Sequence, residues 1–171
     1  MSRLKAHQKR TVAFRLNGLP VRAEAESRTL LSDFIRHEIG MTGTHVGCEH
    51  GVCGACTIQV DGAPARACLM LAVQAEGTDI RTVEALSPGE ARLSALQAAF
   101  KRHHGLQCGF CTPGILMSLD ALIGARPDAG REEVRDHLSG HLCRCTGYAT
   151  IVEAALSALD DIRREEANGN V

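Results

Sequence analysis

Residues 47–57 read Gly47-Cys48-Glu49-His50-Gly51-Val52-Cys53-Gly54-Ala55-Cys56-Thr57, three cysteines and three glycines in eleven positions. A segment so rich in glycine turns tightly and tolerates positive φ. Upstream, Val12, Phe14 and Leu16 alternate with polar positions, and Asn17-Gly18 predicts a hairpin into a second strand near Val21. Leu30, Leu31, Phe34 and Ile35 share one face of a predicted short helix, capped near Thr29, running through His37 and stopped by Gly40. Downstream, Thr57 to Val60, the turn Asp61-Gly62 and Ala63 to Cys68 predict a second hairpin, and Ile80 to Val83 another strand. A helix laid on a mixed sheet makes this half α+β.

After Leu86 the period-two alternation stops. Ser87-Pro88-Gly89-Glu90 combines capping-box spacing with proline at the first helical position, which predicts a helix start there. Leu93, Leu96, Gln97 and Phe100 follow at helical spacing and Gly105 ends the run. Thr112-Pro113 opens a second helix carrying Ile115, Leu116, Leu119 and Leu122, and Glu132 to Leu138 supports a third. Thr150 to Glu153 repeats the capping-box spacing ahead of a fourth, striped by Leu156, Leu159 and Ile162 and fraying from Glu165. The expected organisation is a tail at 1–10, an α+β domain at 11–86, a bundle of four helices at 87–164 and a tail at 165–171.

Composition removes several function classes. Nineteen basic and twenty acidic residues leave a formal charge of -1, without the dense positive field that nucleic acid or anionic lipid selects. The longest apolar run, residues 67–73, falls far short of the ~20 residues of a membrane-spanning helix. Arg3, Lys5, Lys9 and Arg10 open the chain, but no apolar stretch or cleavage site follows them, so a cytoplasmic protein is expected, with neither nucleic-acid nor membrane partner. In that compartment cysteines serve metal binding or catalysis rather than disulfides.

The eight cysteines fall four to each half. Cys48, Cys53, Cys56 and Cys68 form C-x4-C-x2-C with a distant fourth, the spacing by which plant-type ferredoxins hold a 2Fe-2S cluster. Gly47, Gly51 and Gly54 let the backbone wrap an inorganic core and aim amide hydrogens at anionic sulfur. Cys108, Cys111, Cys143 and Cys145 give C-x2-C and C-x-C, two close pairs that each suit one iron of a binuclear centre. Each pair precedes a predicted helix, whose amino end favours negative charge. Structural zinc also uses C-x2-C pairs and stays open for the second quartet. A Rieske centre fails because Cys56 stands where histidine is required. A thioredoxin-like Cys108–Cys111 pair lacks the surrounding βαβ pattern. His45, His50, His103 and His104 read as turn or helix-end residues. No nucleophile-base pair and no nucleotide-binding glycine fingerprint stands out, so no catalytic residue is expected in this chain.

With both quartets in view, the chain resembles the small iron-sulfur subunit of the molybdenum hydroxylases, the family of xanthine oxidase and aerobic carbon monoxide dehydrogenase. The resemblance is carried by residues 47–57, by Asp61-Gly62 and Cys68-Leu69, by Gln107-Cys108-Gly109-Phe110-Cys111-Thr112-Pro113-Gly114, and by Leu142-Cys143-Arg144-Cys145-Thr146-Gly147-Tyr148. It covers roughly residues 10 to 163, with Ala67 where serine is common and His45 where lysine is frequent. It implies a β-grasp, plant-ferredoxin-like first domain and a four-helix second domain, each with one 2Fe-2S cluster. It further implies a hetero-oligomer in which a large subunit oxidises substrate at a molybdopterin centre and a medium subunit with FAD receives the electrons. Gln107 and Cys145 would then lie nearest the pterin. The competing expectations are a freestanding two-cluster ferredoxin and a two-site zinc protein.

Overall fold

The computed structural model describes residues 7–89 and 92–169. Strands β1 (Lys9–Leu16) and β2 (Leu19–Glu26) form the first hairpin, in register from Lys9 opposite Glu26 to Leu16 opposite Leu19. Asn17 and Gly18 take φ of 53° and 80°, as a two-residue turn with both central residues left-handed requires. β3 (Thr57–Val60) and β4 (Ala63–Arg66) form the second hairpin around Asp61-Gly62, and β5 is Asp79–Arg81. The sheet order is β2-β1-β5-β3-β4, with β5 parallel to β1 and antiparallel to β3.

The predicted helix of the first half is real but widened. Three α-helical residues, α1 (Leu31–Asp33), continue as a π-helix over Phe34–Glu38. Ile39 N–H reaches back five residues to the Phe34 carbonyl, and Gly40 takes φ of 83° just beyond. The wide turn buries the consecutive Phe34 and Ile35 together with Leu31, Val12, Ile58 and Ile80 in one core.

Helices α2 (Ala95–Arg102), α3 (Thr112–Ala125), α4 (Arg131–Leu138) and α5 (Tyr148–Ala167) surround a second core of Leu96, Phe100, Ile115, Leu119, Val134 and Leu159. A mixed five-stranded sheet followed by helices is an α+β chain.

Three helix boundaries differ from the sequence reading. α2 starts at Ala95 instead of at Pro88, because Ser94 and Gln97 cap each other reciprocally while Gly89 turns back onto Arg92. Ser87 is drawn into that cap, donating to Gln97 Oε1 at 3.1 Å; Glu90 lies outside the described residues. α5 starts at Tyr148, so Thr150 sits inside its first turn, its hydroxyl bonded to the Gly147 carbonyl at 3.0 Å. Its far end runs past Glu165 to Ala167.

The two cores meet across a polar latch. Gln59, 2 % exposed on β3, donates through Nε2 to the Met117 carbonyl at 3.1 Å and to Asp120 Oδ2 at 2.8 Å on α3. Its Oε1 accepts from Arg81, which also pairs with Asp120 at 3.1 Å. Gln59→Leu is expected to lower stability by about 1–3 kcal/mol in thermal melting, since it strips partners from buried polar groups. A melting temperature unchanged from the parent would contradict this role for the latch.

Candidate metal centres

The first four cysteines converge on one loop. Cys48 and Cys53 share a side-chain hydrogen bond, Cys56 and Cys68 share another, and Cys53 lies within Coulombic reach of Cys56. All eight thiols are free. Glu49, Gly51 and Gly54 supply the left-handed turns, with φ of 53°, 73° and 77°. At Gly47 a Cβ would approach Cys53 Sγ to 3.2 Å, so the closeness of backbone and sulfur accounts for glycine there. Cys68 lies on a 3-10 turn, Ala67–Leu69, just after β4 rather than on the strand. The Ala67 N–H to Cys56 carbonyl bond, 3.2 Å, brings its segment back to the loop.

Backbone donors already aim at sulfur. Cys48 Sγ accepts from the N–H groups of Cys53 and His50, each at 3.4 Å, and these donors hold its thiol down at about 6. It is thiolate at neutral pH. Burial pushes Cys56 up to about 12, a proton that metal coordination removes.

The second quartet assembles from both sides of the helical core. Cys111 is the N-cap of α3, with Pro113 in its first turn, and Cys145 lies just before α5. Cys108 bonds to Cys145 and Cys111 to Cys143, with Cys108 and Cys111 in Coulombic reach of one another. These contacts run crosswise between the two sequence-local pairs. The turn at Gly109, φ 83°, separates Cys108 from Cys111 so that each meets one thiol of the opposite pair. The Phe110 N–H lowers Cys108, and burial pushes Cys111 up to about 12. Gln107 Nε2 donates to the Cys145 carbonyl at 3.3 Å, which brings the two residues expected near a pterin together.

Between the nests runs a seam that no sequence spacing marks. Leu142 N–H donates to the Cys53 carbonyl at 2.9 Å, joining a cysteine of one quartet to the neighbour of Cys143 in the other. His45, in the loop before the first nest, packs against the second: its ring stacks on Phe110 with centroids 5.1 Å apart, and its Nδ1 bonds the Phe110 carbonyl at 2.8 Å. Arg66 donates to Thr57 Oγ1 and, at 2.8 Å, to the Gly140 carbonyl. His141 is buried here with its Nδ1 unpartnered, and burial, then the Arg66 charge, depresses it to about 4. Tyr148 Oη accepts from Cys143 N–H at 2.7 Å and donates to the His141 carbonyl at 3.1 Å, fixing the loop that carries Cys143. His50 is exposed, while His103 and His104 end α2.

Comparison with known proteins agrees with this two-nest geometry. Residues 14–81 match a family model described as a 2Fe-2S iron-sulfur cluster binding domain, and residues 82–156 match one described as a 2Fe-2S binding domain. The caffeine dehydrogenase subunit gamma of Pseudomonas sp. (strain CBB1) is 56% identical over 160 residues, covering 91% of this chain and 95% of that protein. The nicotine 6-hydroxylase small subunit of Paenarthrobacter nicotinovorans is 57% identical over 143 residues, covering 84% and 86%. A chain of quinoline 2-oxidoreductase from Pseudomonas putida 86 superposes with a TM-score of 0.88 at 51% identity, covering 92% of this chain and 98% of that one. With a 2Fe-2S module matched in each half and relatives this similar along nearly their whole length, the chain belongs to the family of small iron-sulfur subunits of the molybdenum hydroxylases.

Proposed function

We propose that this chain carries electrons within a cytoplasmic molybdenum hydroxylase complex, from a large molybdopterin-binding subunit to a medium subunit with FAD. Cys48, Cys53, Cys56 and Cys68 would hold one 2Fe-2S cluster, and Cys108, Cys111, Cys143 and Cys145 the other. The first belongs to a β-grasp, plant-ferredoxin-like domain at 11–86, the second to a four-helix domain at 87–164. When bound, such clusters accept and release single electrons. The residues fit them: four free thiols per nest meet two by two, and backbone N–H groups already point at Cys48 sulfur.

The observation that carries the proposal is the Cys53–Leu142 hydrogen bond. Leu142 precedes Cys143, so one hydrogen bond and a few covalent bonds connect a ligand of one nest to a ligand of the other. The chain's own work is positional. Tyr148 holds the Cys143 loop, and at Gly54 a Cβ would come within 2.8 Å of the Gly140 carbonyl oxygen, so glycine there lets the two backbones touch. Coexpression with the chains encoded beside it is expected to yield a stable complex containing molybdenum, flavin and iron. Isolation of this chain alone, with no molybdenum-bearing partner retained, would overturn the proposal.

A complex is favoured over a freestanding ferredoxin because the closely similar proteins carry subunit names. Zinc is disfavoured because each half of the chain matches a 2Fe-2S binding-domain model. No helix among the described residues is long and apolar enough to cross a membrane. Substrate would meet a different polypeptide, and the names of the relatives, for caffeine, nicotine and quinoline, make nitrogen heterocycles the first class to assay.

Gln107, exposed beside Cys108 and bonded to the Cys145 carbonyl, faces outward at the edge of the second nest. Gln107→Ala is expected to leave both cluster spectra intact while slowing reduction of the second cluster by the molybdenum subunit about 10-fold, as loss of an outer-shell contact does. Unchanged reduction kinetics in the assembled complex would remove Gln107 from the pterin contact.

A further inference from the structure

At the seam, Arg66 places a guanidinium between the two nests. One arm reaches Thr57, the neighbour of Cys56, and the other reaches Gly140, three residues before Cys143. Its backbone lies two residues before Cys68. A Cβ at Gly140 would approach Arg66 Nη2 to 3.1 Å, so the arm lies close against the backbone there. Among the described residues no carboxylate forms an ion pair with it. Both of its partners are neutral, a hydroxyl and a carbonyl.

A half-buried cation without a carboxylate is costly unless some other negative charge compensates it. The two thiol nests are the negative charge at hand. Two ferric ions cannot cancel two sulfides and four thiolates, so each filled nest is anionic, and an added electron makes it more so.

We propose that Arg66 is a positioning residue for electron transfer, whose fixed charge favours the electron on the first-domain cluster over the helical-domain cluster while its fork keeps the two loops in contact. The inference rests on the two-cluster reading of the chain. The bias has a direction because the side chain springs from the first nest: Arg66 adjoins Cys68 through Ala67, and one of its two partners adjoins Cys56. An electron leaving the second nest for the first moves toward the cation, and flow from pterin to flavin runs that way.

The test is a redox titration of the assembled complex, following the two clusters by their separate electron paramagnetic resonance signals. Arg66→Gln removes the charge and keeps a donor. It is expected to shift the distribution of one electron between the clusters about tenfold toward the helical domain, a change of ~59 mV in their potential difference. Arg66→Lys keeps the charge without the fork and is expected to recover most of that shift. A potential difference equal to the parent's in Arg66→Gln would overturn the proposal. So would an Arg66→Lys protein displaced as far as Arg66→Gln, since that assigns the effect to packing alone. Absence of two 2Fe-2S signals from the parent complex would instead refute the two-cluster reading itself.

Discussion

Cys53→Ser removes the first-domain cluster's spectral signature, leaves the helical-domain signature in place, and lowers turnover with the final acceptor by about 100-fold or more. Serine lacks the soft thiolate that iron-sulfur assembly needs, and with it goes the side-chain contact to Cys48. The substitution spares the backbone, so the Cys53 carbonyl still receives the Leu142 N–H and the seam keeps its shape. The crosswise contacts of the second quartet involve no residue of the first, so that nest assembles on its own. The size of the loss exceeds the 10–100-fold typical of outer-shell changes because a ligand itself is lost. The measurement is electron paramagnetic resonance of the dithionite-reduced complex together with turnover. Disappearance of both signatures at once would show that the nests are not independent sites.

Gly114→Ala lowers the melting temperature of the chain and loosens the seam. A Cβ there would come within 2.2 Å of the Gly54 carbonyl oxygen and 2.8 Å of that of Ala55, and both are backbone atoms that no rotamer change can move aside. α3 must shift away from the loop that carries Cys53 and Cys56, at a cost of about 1–3 kcal/mol. For a chain of this size each kcal/mol moves the midpoint by ~2–4 °C. Gly124 is on the same helix, and a Cβ there meets nothing within 4 Å. Gly124→Ala is therefore expected to raise stability by about 0.5–1 kcal/mol, since alanine is the better helix former. Thermal melting of the pair separates contact from propensity. Two shifts of the same sign would sink the account of Gly114 as a point of backbone contact.

Local chemistry was legible in the residues, and long-range chemistry was not. Asn17-Gly18 and Asp61-Gly62 turn where they were expected to, because a two-residue hairpin turn demands positive φ and those residues tolerate it. The division of the eight cysteines into four in each half is read from their spacing along the chain. Which thiol meets which did not follow: the turn at Gly109 and the cap at Cys111 send contacts to the opposite pair. Two capping-box spacings compete for one helix start, and Ser94 prevails over Ser87 because Gln97 answers it from the third helical position. Thr150 carries the same pattern without the role, since Gly147 already begins the turn. The seam was illegible for a simpler reason. Arg66 to Gly140, Gln59 to Asp120 and His45 to Phe110 span 61 to 74 positions, and nothing in the spacing of one partner announces the other.

Iron and acid-labile sulfide, quantified on the folded chain as it emerges from its complex and read beside its reduced-state paramagnetic spectrum, bear most directly on the two thiol nests. Two binuclear clusters require about four irons and four sulfides per chain, with two resolvable signals. Stoichiometric zinc, a colourless protein without inorganic sulfide, or a single signal from half that iron would each contradict the proposed division of the eight thiols into two cluster-binding nests.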